Sequence, residues 1–414
     1  MGIKLRITIL NFLEFFAWGA WLISLGGYMI NTLHFTGGQV GSIYATMGIA
    51  SLFMPALLGI VADRWINAER VMGLSHIILA VLLFWVAQVR SFDNMYWIML
   101  LVSMMYMPTI ALSNTVSYSI LEQKGFDIVK DFPPLRVWGT IGFIIAMWVI
   151  DFLHWTLSPM QLYISSIASL GLGVYSFTMP ACPPENKSKG KSLVTSLGLD
   201  AFRLFKQRKM SIFFIFSMLL GASLQITNTF GEPFLHDFAN KFSQSFAVQH
   251  PSILMSVSQM SETLFILTIP FFLKRFGIKK VMLMSMFAWV FRFGLFGIGS
   301  PDGIGFVFLV LSMIIYGMAF DFFNISGSLF VEMEAKPEIR ASAQGLFMIM
   351  TNGLGAFLGG TASGWVVDYF TRGGVRHWPH IWMTFSIYSL IIGVLFMILF
   401  KYKHNPEKIA HVQH

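Results

Sequence analysis

Charge is what this sequence has least of. Asp, Glu, Lys and Arg make up 12% of its 414 residues, against 56% hydrophobic ones, where a soluble chain carries roughly 25% charged residues. That leaves too little polar surface to cover a water-soluble globule, so most side chains must face lipid or each other. Cysteine is nearly absent too. The lone Cys182 excludes an intramolecular disulfide and a thiolate metal cluster. There is no metal-ligand spacing, Gly-rich phosphate loop or nucleotide-hydrolysis motif, so neither a metal, a cofactor nor ATP is expected to drive the chemistry. An intramembrane enzyme would need a nucleophile–base constellation near one face, and a channel would need rings of like charge. Neither pattern is visible.

Long apolar runs are abundant. A bilayer core takes about 20 apolar residues per helix, and the runs between charge, Pro and Gly clusters predict twelve spans. The first six are Leu5–Leu33, Gln39–Trp65, Val71–Val89, Met95–Leu121, Pro134–Leu153 and Met160–Met179. The second six are Met210–Phe234, Ile253–Leu273, Val281–Gly299, Gly303–Val331, Ala341–Phe370 and Ile381–Phe400. The expected fold class is an all-α membrane protein, because a helix satisfies its own backbone in lipid. The first run is too long for a signal-peptide core, carries Glu14 and two tryptophans, and lacks a small-residue cleavage site, so it is expected to remain as a span. One polar stretch, Pro183 to Lys209, divides six spans from six. The predicted organisation is therefore a six-helix bundle over 1–180, a cytoplasmic linker over 181–209, a second bundle over 210–402 and a cytoplasmic tail over 403–414.

Lys and Arg set the orientation. With the N-terminus inside, 22 of the 28 basic residues fall in cytoplasmic segments, and only Arg90, Lys241, Arg372 and Arg376 lie outside. The net charge of +8 is then topological and gives no reason to expect a nucleic-acid partner. Membrane lipid is the expected surround, with the protein in the inner membrane and both termini cytoplasmic. Nothing requires an oligomer. Cys182, beside the basic linker, is expected on the cytoplasmic side within reach of an aqueous thiol reagent.

The halves echo each other. A short basic turn leads into Val71-Met72 after the second span and into Val281-Met282 after the eighth, and Arg136 and Arg340 each open a span, roughly two hundred residues apart. Both halves start on the same side, the parallel-repeat arrangement of the major-facilitator transporters, which hold substrate near the midplane between their halves. The Gly59-x3-Asp63-Arg64 segment resembles that superfamily's signature turn, although Trp65 and Ile66 stand where its second glycine belongs. Asp63 and Arg64 are the expected cytoplasmic latch.

Charges inside a span cost about 2.5 kcal/mol or more and need a reason. The candidates are Glu14, Arg136, Glu232, Glu262, Arg292 and Asp321. Several share a helix face with polar or aromatic residues: Arg136, Thr140 and Phe143; Gln225, Asn228 and Glu232; Gln259 and Glu262; Tyr316 and Phe320, followed by Asp321 and Asn324. Rings stack on flat ligands, while amides and carboxylates bond ring edges and hydroxyls. A nucleoside fits that mixture, and so does a sugar. Glu232 and Arg292 lie toward the outer ends of their spans, where snorkelling to the interface is open to them, and neither is assigned to the site. His76 reads as a satisfied packing histidine. Gly355-x3-Gly359 and Gly360-x3-Gly364 read as close-packing seams.

Longer runs carry a resemblance. Met54–Trp65 (MPALLGIVADRW), Asp131–Val149 (DFPPLRVWGTIGFIIAMWV), Gly198–Phe202, Phe213–Gly231 (FFIFSMLLGASLQITNTFG), Ser256–Lys280, Tyr316–Glu332 (YGMAFDFFNISGSLFVE) and Ile339–Phe347 resemble the nucleoside:proton symporter family of the major facilitator superfamily. The resemblance runs in order along nearly the whole chain. It implies a nucleoside importer coupled to protons by alternating access, with no cofactor beyond the proton gradient. It also implies that Arg136, Thr140, Phe143, Gln225, Asn228, Gln259, Glu262, Tyr316, Phe320 and Asp321 line the nucleoside site. Asp321 first and Glu262 second are the expected proton carriers. Glu14 and Glu232 stand where the family often has an amide, a departure that bears on substrate range or proton stoichiometry. A sugar:proton symporter is the neighbouring alternative.

Overall fold

The computed structural model describes residues 2–184 and 199–402. The middle of the expected linker and the expected C-terminal tail lie outside the described residues. The helices, in chain order, are α1 (Ile3–Gly19), α2 (Gly37–Arg64), α3 (Ala68–Val86), α4 (Phe92–Gln123), α5 (Ile128–Phe152), α6 (Met160–Ser176), α7 (Arg208–His236), α8 (Pro251–Phe276), α9 (Ile278–Ile298), α10 (Gly303–Glu334), α11 (Arg340–Tyr369) and α12 (Trp378–Leu399). Ten of these are long and apolar enough to cross a membrane. The two that fall short correspond to the first and sixth expected spans. The first is broken after α1 and resumes as Leu25–Gly27 and a π-helical turn, Tyr28–Thr32. The sixth, α6, has 17 residues, which at about 1.5 Å each still reaches the lower limit for a bilayer core.

The chain divides into two compact units between residues 197 and 198. Within the first, α1 packs along α5, α2 along α4, and α3 against α4 and α6. Within the second, α7 packs along α11, α8 along α10, and α9 against α10 and α12. The pairing is the same, so the repeat glimpsed in the Val-Met echoes extends to helix packing.

Small residues set the tightest crossings. In lipid the drive to associate comes from packing, and glycine lets two backbones meet. A Cβ on Gly142 of α5 would sit 2.3 Å from the Phe12 carbonyl oxygen, and one on Gly19 of α1 would sit 2.5 Å from that of Phe143. The second unit repeats the device: a Cβ on Gly221 of α7 would lie 2.2 Å from the Thr351 oxygen, and one on Gly359 of α11 would lie 2.4 Å from that of Ala222. Gly355 and Gly359 thus form the seam their spacing predicts.

Four readings need correction. Helix α5 starts at Ile128 rather than Pro134, because Asp127 caps it by accepting from the Val129 and Lys130 amides at 2.9 and 3.3 Å. Arg136 is therefore well inside the helix. Cys182 is 3% exposed. Its amide donates to Glu69 Oε2 at 2.8 Å and its carbonyl accepts from Ala68, which tucks the segment against the start of α3. Burial pushes its thiol up to about 11, so it is a poor target for aqueous reagents. Glu232 and Arg292 do not snorkel. Both are fully buried by protein; Ser252 donates to Glu232 at 2.9 Å, and Arg292 donates to the Ser312 carbonyl at 2.8 Å.

Candidate functional site

In the first unit the candidate residues gather where α1 crosses α5. The Arg136 guanidinium lies 4.0 Å above the Phe15 ring, a cation–π arrangement that orients the head group. Gly139, one turn on, makes the room: a Cβ there would come within 2.7 Å of both Arg136 Nη1 and Phe15 Cδ2. Phe143 is buried and meets Trp18 edge-to-face at 6.0 Å, and Trp18 in turn meets Tyr106 at 5.2 Å. Thr140 is half-buried on the same face. The stripe Arg136, Thr140 and Phe143 is thus backed by aromatic residues of α1 and α4.

Beside it stands a cluster that periodicity within single helices did not reveal. Glu14 of α1 is completely buried, and so is His76 of α3. His76 Nε2 lies 2.7 Å from Glu14 Oε2. The Thr109 hydroxyl of α4 lies 2.7 Å from Glu14 Oε1, and the Tyr106 hydroxyl donates to the Glu14 carbonyl at 3.0 Å. Among the described residues His76 has a partner for one ring nitrogen only, Nδ1 having none. The packing histidine is therefore half-satisfied.

In the second unit the candidate groups centre on α10. Tyr316 and Phe320 stack at 6.4 Å with an interplanar angle of 15°. Asp321 is buried, and its Oδ2 has no hydrogen-bond partner among the described residues. Glu262 of α8 is an electrostatic neighbour of both Asp321 and Tyr316. Gln259, one turn before Glu262, buries its carbonyl oxygen without a partner. On α7, Gln225 is buried with its amide 3.4 Å from the Thr229 hydroxyl, and Asn228 is half-buried.

Arg292 of α9 completes this region. Its guanidinium lies 4.6 Å from the Tyr316 ring and 5.0 Å from the Phe296 ring, and among the described residues Nε and Nη2 lack hydrogen-bond partners. Weak hydration and a planar face suit Arg to such a stack better than Lys. A small cleft opens between α7, α9, α10 and α11, lined by Leu220, Trp289, Phe320, Phe323, Asn324 and Asn352 among others. Of the predicted site residues only Phe320 lines it. Trp289 and Asn352 carried no sequence signal, since a Trp in a span reads as an interface anchor and a lone amide as packing. The buried Trp289 indole N–H has no partner, so this wall offers an aromatic face and an open donor.

Chemically, the second unit combines a buried carboxylate with one oxygen unpartnered among the described residues, a second carboxylate nearby, stacked rings and amides. A buried carboxylate without a partner is costly unless a ligand, a cation or a proton compensates it.

A family model described as "Nucleoside H+ symporter" matches residues 1–405. The xanthosine permease of Escherichia coli K12 is 58% identical over 413 residues, covering 99% of each chain. The nucleoside permease NupG of the same organism is 55% identical, covering 98% of this chain and 97% of its own. A crystal structure of NupG superposes with a TM-score of 0.92 over 97% of this chain and 100% of that one. With a match over nearly its full length and the major facilitator fold, this chain belongs to the nucleoside:proton symporter family.

Proposed function

We propose that the protein imports nucleosides together with protons across the bacterial inner membrane, with both termini cytoplasmic. The observation that carries the reading is the buried Asp321 carboxylate, one oxygen unpartnered, next to Glu262 and the stacked Tyr316 and Phe320. Asp321 takes the coupling proton, with Glu262 as its electrostatic partner. Neutralising one of two close carboxylates removes their repulsion and lets the region repack. The rings hold the base by stacking. Gln225, Asn228 and Gln259 supply amides for ribose hydroxyls and base edges. In the first unit Arg136, Thr140 and Phe143 offer a cation, a hydroxyl and a ring suited to a nucleoside. Asp63 and Arg64, which close α2, serve as the conformational latch.

The driving force suffices. A proton crossing 100 mV gains about 2.3 kcal/mol, enough for roughly 50-fold accumulation. The relatives' names favour nucleosides over sugars as cargo. The test is uptake of labelled uridine into proteoliposomes under an imposed proton gradient, competed by nucleosides, free bases and sugars. Nucleosides should compete, sugars should not, and an uncoupler should abolish accumulation. Competition by sugars, or accumulation that survives gradient collapse, would refute the reading.

A further inference from the structure

Glu14 has a hydrogen-bond geometry that counts its protons. Three short contacts make up its cluster, two on the carboxyl and one on its Thr109 partner: His76 Nε2 to Oε2 at 2.7 Å, Thr109 Oγ1 to Oε1 at 2.7 Å, and Thr109 Oγ1 to the Tyr106 carbonyl at 2.6 Å. Each needs one hydrogen, and a threonine hydroxyl has only one to give. If Glu14 is ionised and His76 neutral, two hydrogens serve three contacts. Either Glu14 Oε1 or the Tyr106 carbonyl then faces Thr109 lone pair to lone pair. A proton on Oε1 resolves this. Glu14 donates to Thr109, Thr109 donates to the Tyr106 carbonyl in the i−3 pattern usual for helix hydroxyls, and His76 Nε2–H donates to Oε2.

Placing the extra proton on His76 instead does not help. It would sit on Nδ1, which has no partner, and Thr109 would still be one hydrogen short. An imidazolium–carboxylate pair therefore buries an orphan donor and leaves the repulsive contact in place. The other ionisable groups around the cluster are Tyr106 of α4 and Arg136 of α5, whose charge bears on Tyr106. From α6, the nearest polar contact to this stretch of α1 is the Ser165 hydroxyl, which donates to the Ala17 carbonyl at 2.6 Å.

We propose that Glu14, held by His76 and Thr109, is a second proton-binding carboxylate of the transport cycle, carried entirely by the first unit. This rests on the nucleoside–proton reading above. Two features connect the proton to transport. Rings run without a break from the cluster to the candidate site: His76 to Tyr106 at 6.3 Å, Tyr106 to Trp18 at 5.2 Å, Trp18 to Phe143 at 6.0 Å. Pro108 lies inside α4 between Tyr106 and Thr109 and cannot donate to the carbonyl of Met104, so the helix is least constrained where Thr109 switches partners. Loss of the proton turns the Thr109 hydroxyl toward Glu14 and takes one donor from the Tyr106 carbonyl beside Pro108.

The experiment compares wild type with Glu14→Gln and Thr109→Val. The Gln amide donates to Thr109 and accepts from His76, so it imitates the protonated acid permanently. Infrared difference spectra of the purified protein should show a protonated-carboxyl stretch in wild type that is absent from Glu14→Gln and shifted to higher frequency in Thr109→Val, which removes its acceptor. In proteoliposomes, the voltage that just nulls nucleoside flux should give one proton fewer per nucleoside for Glu14→Gln. A carboxylate signal without the acid band, or an unchanged proton ratio, would overturn the proposal and leave a structural Glu14–His76 pair. If wild type itself moves nucleoside without protons, the function reading fails and this one with it. The infrared band separates that case from a Glu14 that never holds a proton.

Discussion

Replacing Gly142 by alanine tests the α1–α5 crossing with a perturbation of one methyl. Its Cβ would stand 2.3 Å from the Phe12 carbonyl oxygen, 3.1 Å from the carbonyl carbon and 3.2 Å from the α-carbon. All three are backbone atoms, so no side chain can swing aside. Ordinary contact begins near 3.4 Å, so α1 must retreat by about 1 Å along that direction. Inserting a methylene into a packed interior costs about 1–3 kcal/mol, and the rigid obstacle puts this site at the upper end, a change of roughly 100-fold in the folding equilibrium. The same retreat pulls Trp18 from Phe143 and Phe15 from Arg136, so nucleoside affinity should fall along with stability. The assay is thermal unfolding of the purified protein in detergent, with uridine binding measured in parallel. Gly171→Ala is the control: nothing lies within 4 Å of its new methyl, and alanine favours a helix over glycine by roughly 0.5–1 kcal/mol. It should melt no lower than wild type. Gly221→Ala, facing the Thr351 oxygen at 2.2 Å, should repeat the loss in the second unit. A Gly142→Ala protein as stable as the Gly171→Ala control would refute the reasoning.

Asp321→Asn should bind nucleoside in equilibrium dialysis yet fail to concentrate it, because the amide imitates the protonated acid and cannot cycle; full concentrative uptake would move the coupling role to Glu262 or Glu14. Gly139→Ala should weaken uridine binding several-fold with little change in melting, because its methyl displaces only the flexible end of Arg136 and the edge of Phe15. Asp237 accepts two hydrogen bonds from Arg376 at 2.7 Å each and one from the Trp378 indole, also at 2.7 Å. The pair is partly exposed, so Asp237→Asn should cost only about 1 kcal/mol, measured as a small drop in melting temperature that shrinks in high salt. Cys182 should resist a charged maleimide at neutral pH and react faster as pH rises toward about 11, since only the thiolate attacks. Wild type then serves as the blank for Trp65→Cys, whose position is 68% exposed; labelling of that variant from outside intact cells would contradict the cytoplasmic placement of the α2–α3 turn.

Much of the architecture is written in the sequence because lipid admits so few solutions. Apolar runs had to become helices, and the two that fell short did so for local reasons: the first span breaks at residues 20–24, and α6 is simply short. The polar stripes on α5, α7, α8 and α10 were legible because helical periodicity is a property of one segment. What joins segments was not. Glu14 and His76 are 62 residues apart, and nothing local to either distinguishes a paired histidine from a packed one. Burial of Cys182 depends on a backbone contact with Glu69 that a polar linker gives no reason to expect.

The intramembrane charges show the limit most clearly. From sequence alone, Glu14, Arg292 and Asp321 are equivalent: each is one charge in an apolar span with a cost to offset. The structure gives each a different answer. Glu14 is met by an imidazole and a hydroxyl; Arg292 lies against two aromatic faces and donates to a carbonyl, with Nε and Nη2 unpartnered among the described residues; Asp321 keeps one oxygen without a partner among them. A carboxylate already met by protein donors, as Glu14 is, has little left to offer a substrate, and changing its state means moving its partners. An uncompensated carboxylate can take a proton or a ligand without first breaking a contact. The three therefore differ in what their surroundings leave open: Arg292 braces the Tyr316 ring, Glu14 meets a hydroxyl that has a second acceptor within reach, and Asp321 has an oxygen open to a proton or a ligand, as the proposed cycle requires.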